Sequence, residues 1–188
     1  MEQSQTDYVL AMEQLSQKVH AIREDQWTAS TPCTEWSVHD LVNHLTYETL
    51  WAPELLSGKT VAQVGDRFDG DNLGVDPFDA WDRAAASGIA AFSADTALGT
   101  TVDSSMGPLP GPLYLGQIFM DVVIHGWDLA RGIGVDDTIE PRFAEQLYAE
   151  VAPKEDDIKA WGVFGDRVEP PAGADTQTKL LAVLGRVQ

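Results

Sequence analysis

Cysteine and cationic residues are scarce in this chain. Cys33 is the single cysteine among 188 residues, so no disulfide can form within the chain, and a reducing compartment is expected. Lys and Arg number 12 against 30 Asp and Glu, a formal net charge of −18. Such an acidic chain lacks the cations that neutralise phosphates, which argues against binding to nucleic acid or to an anionic membrane surface.

Long apolar runs are absent as well. No stretch of about 18 apolar residues occurs, so no transmembrane helix is predicted. The N-terminal sequence MEQSQTDY has no basic region followed by an apolar run, which predicts no signal peptide and favours a cytoplasmic location. Hydrophobic residues still make up 44% of the chain, enough for a packed core. We expect one domain over 1–188, with a bundle over 1–152 and an appendage over 153–188.

Helical periodicity dominates the chain. An apolar stripe from Tyr8 to Ile22 predicts a first helix, and Ser37 with Asp40 forms a capping box that opens a second. Asp76-Pro77 and Glu140-Pro141 mark two further helix starts. Additional helices are predicted from Gly111-Pro112 to Arg131, ending at Gly132, and from Thr176 to Leu184.

Three segments rich in glycine or proline interrupt these helices, over 57–76, 99–112 and 162–175. Within the second of them, Thr100–Ser104 has the pattern of a short strand. The fold class predicted from the residues is all-α, a helical bundle with long loops and a small C-terminal helical appendage.

A narrow polar strip runs along the predicted helix over Tyr114–Arg131. At about 100° per residue, Gln117, Asp128, Tyr114 and His125 fall within roughly 40° of Asp121, and most of the remaining circumference is apolar. Asp121 and His125 are four residues apart, so their side chains can converge on one ion. A solvent-facing strip, or a hydrogen-bonded Asp–His couple, would explain the same pattern.

The second helix offers a similar pair. Glu48 lies within its apolar face and His44 at the edge of that face, again four residues apart. A carboxylate within an apolar face is costly unless it has a partner. Two helices that each supply a histidine and a carboxylate can build a metal site in a bundle core. Imidazole with carboxylate suits Zn²⁺, Ni²⁺, Mn²⁺ or Fe²⁺, and open coordination positions would make such a site catalytic.

Cys33 is the remaining chemically distinctive residue. It lies in a proline-bounded turn before the second helix and has no CxxC partner. A packed, inert thiol is favoured over a nucleophile.

The runs TPCTEWSVHDLVNHL (31–45) and DVVIHGWDLA (121–130) carry a family resemblance. They resemble the DinB-like superfamily of metal-dependent four-helix bundles, and most closely the actinobacterial branch with the mycothiol-dependent maleylpyruvate isomerase N-terminal domain. Single-domain metal-binding members of that branch are similar over nearly the whole chain. The resemblance implies an up-and-down, DinB-like four-helix bundle.

The resemblance also implies a metal site. His44, Asp121 and His125 match the positions that hold the divalent ion in this family, usually Zn²⁺ or Ni²⁺, with open positions for water or substrate. The isomerase typically has Glu where this chain has Asp121. Glu48 is not a standard family ligand, and we interpret it as a base or as a group facing the ligands or the substrate.

The implied function is that of a thiol-dependent transferase or isomerase. The metal would activate a small thiol such as mycothiol, as a co-substrate, or water. The partners expected are therefore a small-molecule thiol and a substrate, with a homodimer left open. The alternatives are a metal-dependent hydrolase that uses Glu48 as general base, a non-enzymatic metal- or ligand-binding module, and a metal-free bundle with a polar seam.

Overall fold

A computed structural model describes residues 1–105, 107–154 and 165–187 of the chain. Contacts within these residues divide the chain into two compact units, Met1–Asp137 and Thr138–Gln188. Residues 141–151 lie in the second unit. The predicted single domain over 1–188, with its bundle over 1–152, stays a prediction.

The first unit contains five of the helices and a two-stranded sheet. Their bounds are α1 Gln3–His20, α2 Val38–Leu56, α3 Val61–Val64, α4 Pro77–Ser93, β1 Thr101–Ser104, β2 Gly107–Pro110 and α5 Gly111–Ile133. Helices α1 and α2 each pack against both α4 and α5. This arrangement confirms the all-α, DinB-like fold class.

The helix starts follow the local sequence signals. The Ser37 hydroxyl accepts a hydrogen bond from the Asp40 backbone N–H at 3.2 Å, and the Asp40 carboxylate accepts one from the Ser37 N–H at 3.0 Å. Asp76 caps α4 by accepting from the Asp79 N–H, and Pro77 occupies the first helical position. These contacts confirm the predicted starts of α2 and α4.

Helix α5 ends later than its sequence suggests. It runs to Ile133, and Gly134 caps it with a φ of 71°, a left-handed conformation that favours glycine. Gly132, the predicted stop, remains helical. A Cβ at Gly132 would lie 3.2 Å from Thr31 and 3.4 Å from Val38, so that glycine permits close packing of the chain that precedes α2.

The core of the first unit lies between the four long helices. Its largest fully buried side chains include Tyr8, Met12, Trp81, Phe92 and Trp127. The close approach of α2 and α4 depends on Gly88, where a Cβ would lie 2.6 Å from the Thr49 Cγ2. The two helices are thus in close contact at this position.

The loop segments contain more structure than expected. The segment over 57–76 includes the one-turn helix α3, and Asn43 of α2 donates to the Gly70 carbonyl at 2.9 Å. The predicted strand at Thr100–Ser104 is observed as β1, which pairs antiparallel with β2 from Thr101↔Pro110 to Ser104↔Gly107.

The second unit contains α6 (Pro141–Val151) and α7 (Thr176–Val183), which pack against each other. Asp175 caps α7 by accepting from the Thr178 N–H at 2.8 Å. Residues 165–175 contain no helix or strand, as predicted for this break, while its first residues, 162–164, lie outside the described part of the chain. In the described residues, no helix is both long and apolar enough to cross a membrane.

Candidate metal centre

Helix α5 supplies three of the polar side chains at the site. Asp121, His125 and Asp128 share one face of a helix whose other residues are mostly buried. Exposure falls along the helix, from 28% for the Asp121 side chain through 12% for His125 to 0% for Asp128. The predicted polar strip therefore faces partly into the protein and is not a solvated surface.

Helix α2 brings His44 to the same point. Its Nε2 lies 3.3 Å from Asp121 Oδ2, and the Nε2 of His125 lies 3.3 Å from Asp121 Oδ1. One ligand atom from each of these three residues lies within 4.8 Å of the others. The structure thus brings together the three residues that the resemblance implies as ligands.

The donor atoms fit a divalent ion on two grounds. His44 Nε2 and Asp121 Oδ2 are both buried without a hydrogen-bond partner in the described part of the chain, because their 3.3 Å approach lacks hydrogen-bond alignment. Two donors held tetrahedrally at zinc bond lengths lie roughly 3.3 Å apart, which matches this spacing. Two imidazoles and a carboxylate leave coordination positions open for a further ligand.

The Asp121 carboxylate and the adjacent His125 imidazole each stabilise the charged form of the other. Burial by itself would raise the pKa of the Asp121 carboxyl, but the adjacent imidazoles of His125 and His44 hold it below its usual range. Burial likewise opposes the charge on His125, whereas Asp121 and Asp128 raise the pKa of its imidazole well above the usual value. Without an ion, His125 and Asp121 form an ion pair, so metal binding here would release a proton.

The segment between α1 and α2 covers one side of the histidines. The Trp36 ring lies 4.7 Å from the His44 ring and 5.7 Å from the His125 ring, measured between centroids. Thr31 holds this segment in place, since its one hydroxyl hydrogen is shared between the carbonyls of Trp36, at 2.9 Å, and Cys33, at 3.2 Å. Trp36 therefore restricts the orientation of both imidazoles.

Cys33 lies behind His125, away from His44. Its Sγ is 3.7 Å from His125 Nδ1 and donates to Asp128 Oδ2 at 3.3 Å, while Asp128 Oδ2 also bonds His125 Nδ1 at 2.9 Å. Cys33, His125 and Asp128 form a second group of potential ligand atoms within 4.8 Å of one another. These three side chains, however, satisfy one another through hydrogen bonds, unlike the buried atoms of His44 and Asp121.

Glu48 lies one turn beyond His44 on α2 and is partly buried. Burial and the charge of Asp121 raise the pKa of its carboxyl, and the two histidines partly offset this. Glu48 is outside the group of ligand atoms that converge within 4.8 Å in the described residues. Glu48 is therefore influenced by the charges of Asp121, His44 and His125, but its carboxylate is not one of the three ligand atoms that converge.

Two contributions to the site had only weak signals in the sequence. Asp128 follows His125 by three residues on the polar strip, and that spacing could have suggested an Asp–His hydrogen bond. The position of Trp36 against both histidines follows from the path of an irregular segment, which no periodicity describes.

Three arginines that could anchor the carboxylate of a substrate form ion pairs with acidic side chains. Arg67 pairs with Glu54, Arg83 with Asp79, and Arg131 with Asp137 at 3.2 Å. Each of these pairs is at least partly exposed, which fits ordinary surface ion pairs.

Comparison with known proteins places the chain in a family. Over 167 residues it is 29% identical to two uncharacterized proteins of Mycobacterium tuberculosis, MT0763 of strain CDC 1551 / Oshkosh and Rv0738 of strain ATCC 25618 / H37Rv. The alignment covers 88% of this chain and 87% of each relative. No solved structure matches the chain. The mycothiol maleylpyruvate isomerase N-terminal domain family matches residues 8–130, which include every residue of the site described above. The chain belongs to this family.

Proposed function

We propose that this chain is a divalent-metal-dependent enzyme of the thiol-dependent transferase or isomerase kind, with His44, Asp121 and His125 as the metal ligands. The observation that carries the proposal is the convergence of three donor atoms from α2 and α5, two of them buried without a hydrogen-bond partner in the described residues. A buried polar atom left unpaired is costly, and a bound cation would remove that cost.

The ligand set supports zinc or nickel, because neutral imidazole with carboxylate suits both ions. When bound, the ion would lower the pKa of a thiol and favour the nucleophilic thiolate. His44 and His125 supply neutral nitrogen donors, and Asp121 supplies the negative charge. Trp36 excludes water from one side of both rings.

Glu48 is suited to hold a proton next to the ligands. Its carboxyl has a raised pKa because of burial and the charge of Asp121, which makes it a better proton acceptor than an exposed glutamate. In this proposal Glu48 accepts the proton that an incoming thiol loses.

The position of Cys33 supports a thiol from outside the chain. Cys33 is the single cysteine of the sequence, and its thiol hydrogen-bonds Asp128 behind His125. It therefore does not face the side of His125 where Asp121 and His44 converge. The family is mycothiol-related, so mycothiol is the thiol we propose as co-substrate.

Metal binding is the first test. Protein purified without an affinity tag and reconstituted with Zn²⁺ or Ni²⁺ should retain a single ion per chain after desalting, measured by elemental analysis. His44→Ala and His125→Ala should lose it. His20→Ala is the matched control, because His20 pairs with Asp82 on the surface and should not affect retention. Equal metal content in all four proteins would contradict the proposal.

Calorimetry then separates the possible functions of the metal-loaded protein. Binding of mycothiol that disappears in His125→Ala supports the thiol-dependent enzyme. Metal retention without mycothiol binding would favour the hydrolase, with Glu48 as base toward water, or a non-enzymatic binding module. Ester hydrolysis lost in Glu48→Gln would identify the hydrolase.

A further inference from the structure

The imidazole of His125 lies between two carboxylates. On one side its Nε2 is 3.3 Å from Asp121 Oδ1, and on the other its Nδ1 is 2.9 Å from Asp128 Oδ2. A neutral imidazole carries one hydrogen, so only one of these carboxylates can accept it. The choice decides which nitrogen has a lone pair available for an ion.

The geometry favours the Asp128 side. The contact between Nδ1 and Asp128 Oδ2 meets hydrogen-bond criteria, while the contact between Nε2 and Asp121 is longer and does not. Asp128 is also fully buried, so its carboxylate depends on protein donors to offset the loss of hydration. When the ring is neutral, its hydrogen is therefore held on Nδ1, and the lone pair of Nε2 is directed toward Asp121 and His44.

Cys33 assists from the same side. Its thiol donates to Asp128 Oδ2 at 3.3 Å, so this oxygen accepts from the thiol and from His125 together. Two donors on one oxygen fix the position of the carboxylate, and a fixed carboxylate fixes the plane of the imidazole. Histidine ligands of metals commonly donate their second N–H to a carboxylate in this way.

We propose that Asp128 is the positioning residue of the site: it holds the hydrogen of His125 on Nδ1 and so prepares Nε2 as the metal-facing atom, with the Cys33 thiol as a second donor to Asp128. This proposal rests on the proposed function only where it predicts an effect on metal affinity. The position of the hydrogen on the neutral ring can be determined in the metal-free chain at alkaline pH, without reference to the metal.

The first measurement is the ¹⁵N spectrum of the His125 ring in metal-free protein, at a pH alkaline enough for a neutral ring. We expect the hydrogen on Nδ1 in the unmodified chain and in Asp128→Asn, because the asparagine carbonyl can still accept. In Asp128→Leu, which fills similar space without accepting, the hydrogen should shift toward Nε2. A hydrogen on Nε2 in the unmodified chain, or no shift in Asp128→Leu, would overturn the proposal.

The second measurement is metal affinity, by competition with a chelator. Loss of a carboxylate partner of a metal-ligating histidine typically weakens binding 10–100-fold. We expect that loss in Asp128→Leu and most of the affinity to return in Asp128→Asn. Asp82→Leu is the matched control, since Asp82 bonds His20 at 2.8 Å far from the site in sequence and on the surface. Equal losses in Asp128→Asn and Asp128→Leu would overturn the positioning role.

Cobalt distinguishes the two sides of His125. With Co²⁺ in the unmodified chain, we expect no thiolate-to-metal charge-transfer band, and Cys33→Ser should bind as tightly, since serine keeps a donor to Asp128. A thiolate band that Cys33→Ser removes would put the ion on the Cys33 side and overturn the proposal. If no ion binds, the proposed function fails, and the ring spectrum still decides the role of Asp128.

Discussion

At the scale of single residues, Asp121 uses its two oxygens separately. Oδ2 approaches His44 on α2 and Oδ1 approaches His125 on its own helix, both at 3.3 Å. Aspartate is one methylene shorter than the glutamate typical of the isomerase that the chain resembles, so its carboxylate stays close to the backbone of α5. The helix that carries Asp121 therefore has to lie close to His44, and the packing of α2 against α5 provides this.

This placement predicts unequal effects for the two carboxylates of the site. Asp121→Asn should weaken Zn²⁺ binding more than Glu48→Gln, because Asp121 contacts both histidines while Glu48 lies outside the convergent group in the described residues. Isothermal titration of the two metal-free variants with Zn²⁺ measures the difference. The reverse order would make Glu48 a ligand.

Residue-scale prediction from the sequence reaches furthest where a regular element sets the spacing. The pairs His44–Glu48 and Asp121–His125 stand out because histidine and carboxylate recur one turn apart on helices with apolar faces. The choice of His44, Asp121 and His125 as ligands follows from the family resemblance and stays a prediction. The contacts of Asp128 with Cys33, and of Trp36 with both histidines, join an irregular segment to α5. They depend on tertiary packing, so no single-segment pattern contains them.

At the scale of elements, caps were easier to predict at helix starts than at helix ends. Ser37, Asp40 and Asp76 act through side chains whose donors and acceptors are evident in the sequence. Gly132 and Gly134 are indistinguishable in sequence, yet the first permits packing and the second caps α5. The elements α3 and β2 were not predicted, because α3 is a single turn within a glycine-rich segment and β2 consists largely of glycine and proline.

The capping box of α2 predicts a pH dependence of stability. Hydrogen bonds from Ser37 hold the pKa of Asp40 below its ordinary value of 3.8. Because the Asp40 pKa is lower in the folded state, the ionised carboxylate stabilises the fold when the pH is above the unfolded-state pKa. This stabilisation is lost as the pH falls through the folded-state pKa. Asp40→Asn should therefore lower stability near neutral pH, by about 1 kcal/mol or less. Urea unfolding across acidic pH should show the difference shrinking below 3.8.

Asp40 is the appropriate probe because its side chain is exposed and its shift has a local cause. Asp79→Asn is the comparison variant, as Asp79 also lies in the first turn of a helix but pairs with Arg83 on the surface of that helix. A difference that stays constant with pH in Asp40→Asn would contradict the capping interpretation.

At the scale of the whole molecule, the net charge of −18 raises the local concentration of any cation. Divalent ions will therefore collect around the acidic surface whether or not they enter the site. Specific binding has to be separated from this general attraction, which depends on charge alone and is screened by salt.

We expect Zn²⁺ to stabilise the folded chain by mass action. At a free concentration of about 100 times its Kd, a ligand that binds only the folded state adds about 2.7 kcal/mol. The melting temperature of the unmodified chain should rise accordingly at moderate salt, measured by circular dichroism. His44→Ala and His125→Ala should lose this increase. Mg²⁺, which prefers oxygen ligands, should give the small, equal shift in all three proteins that the acidic surface alone produces.

The geometry of the site depends on the segment between α1 and α2 as well as on the four long helices. It carries Cys33 and Trp36, and the Thr31 hydroxyl holds it through the carbonyls of Cys33 and Trp36. A designer who copied His44, Asp121 and His125 onto a bare bundle would transplant the proposed ligands without the segment that holds them. Conversely, changes confined to this connection are expected to alter the metal preference that we propose while His44, Asp121 and His125 stay the same.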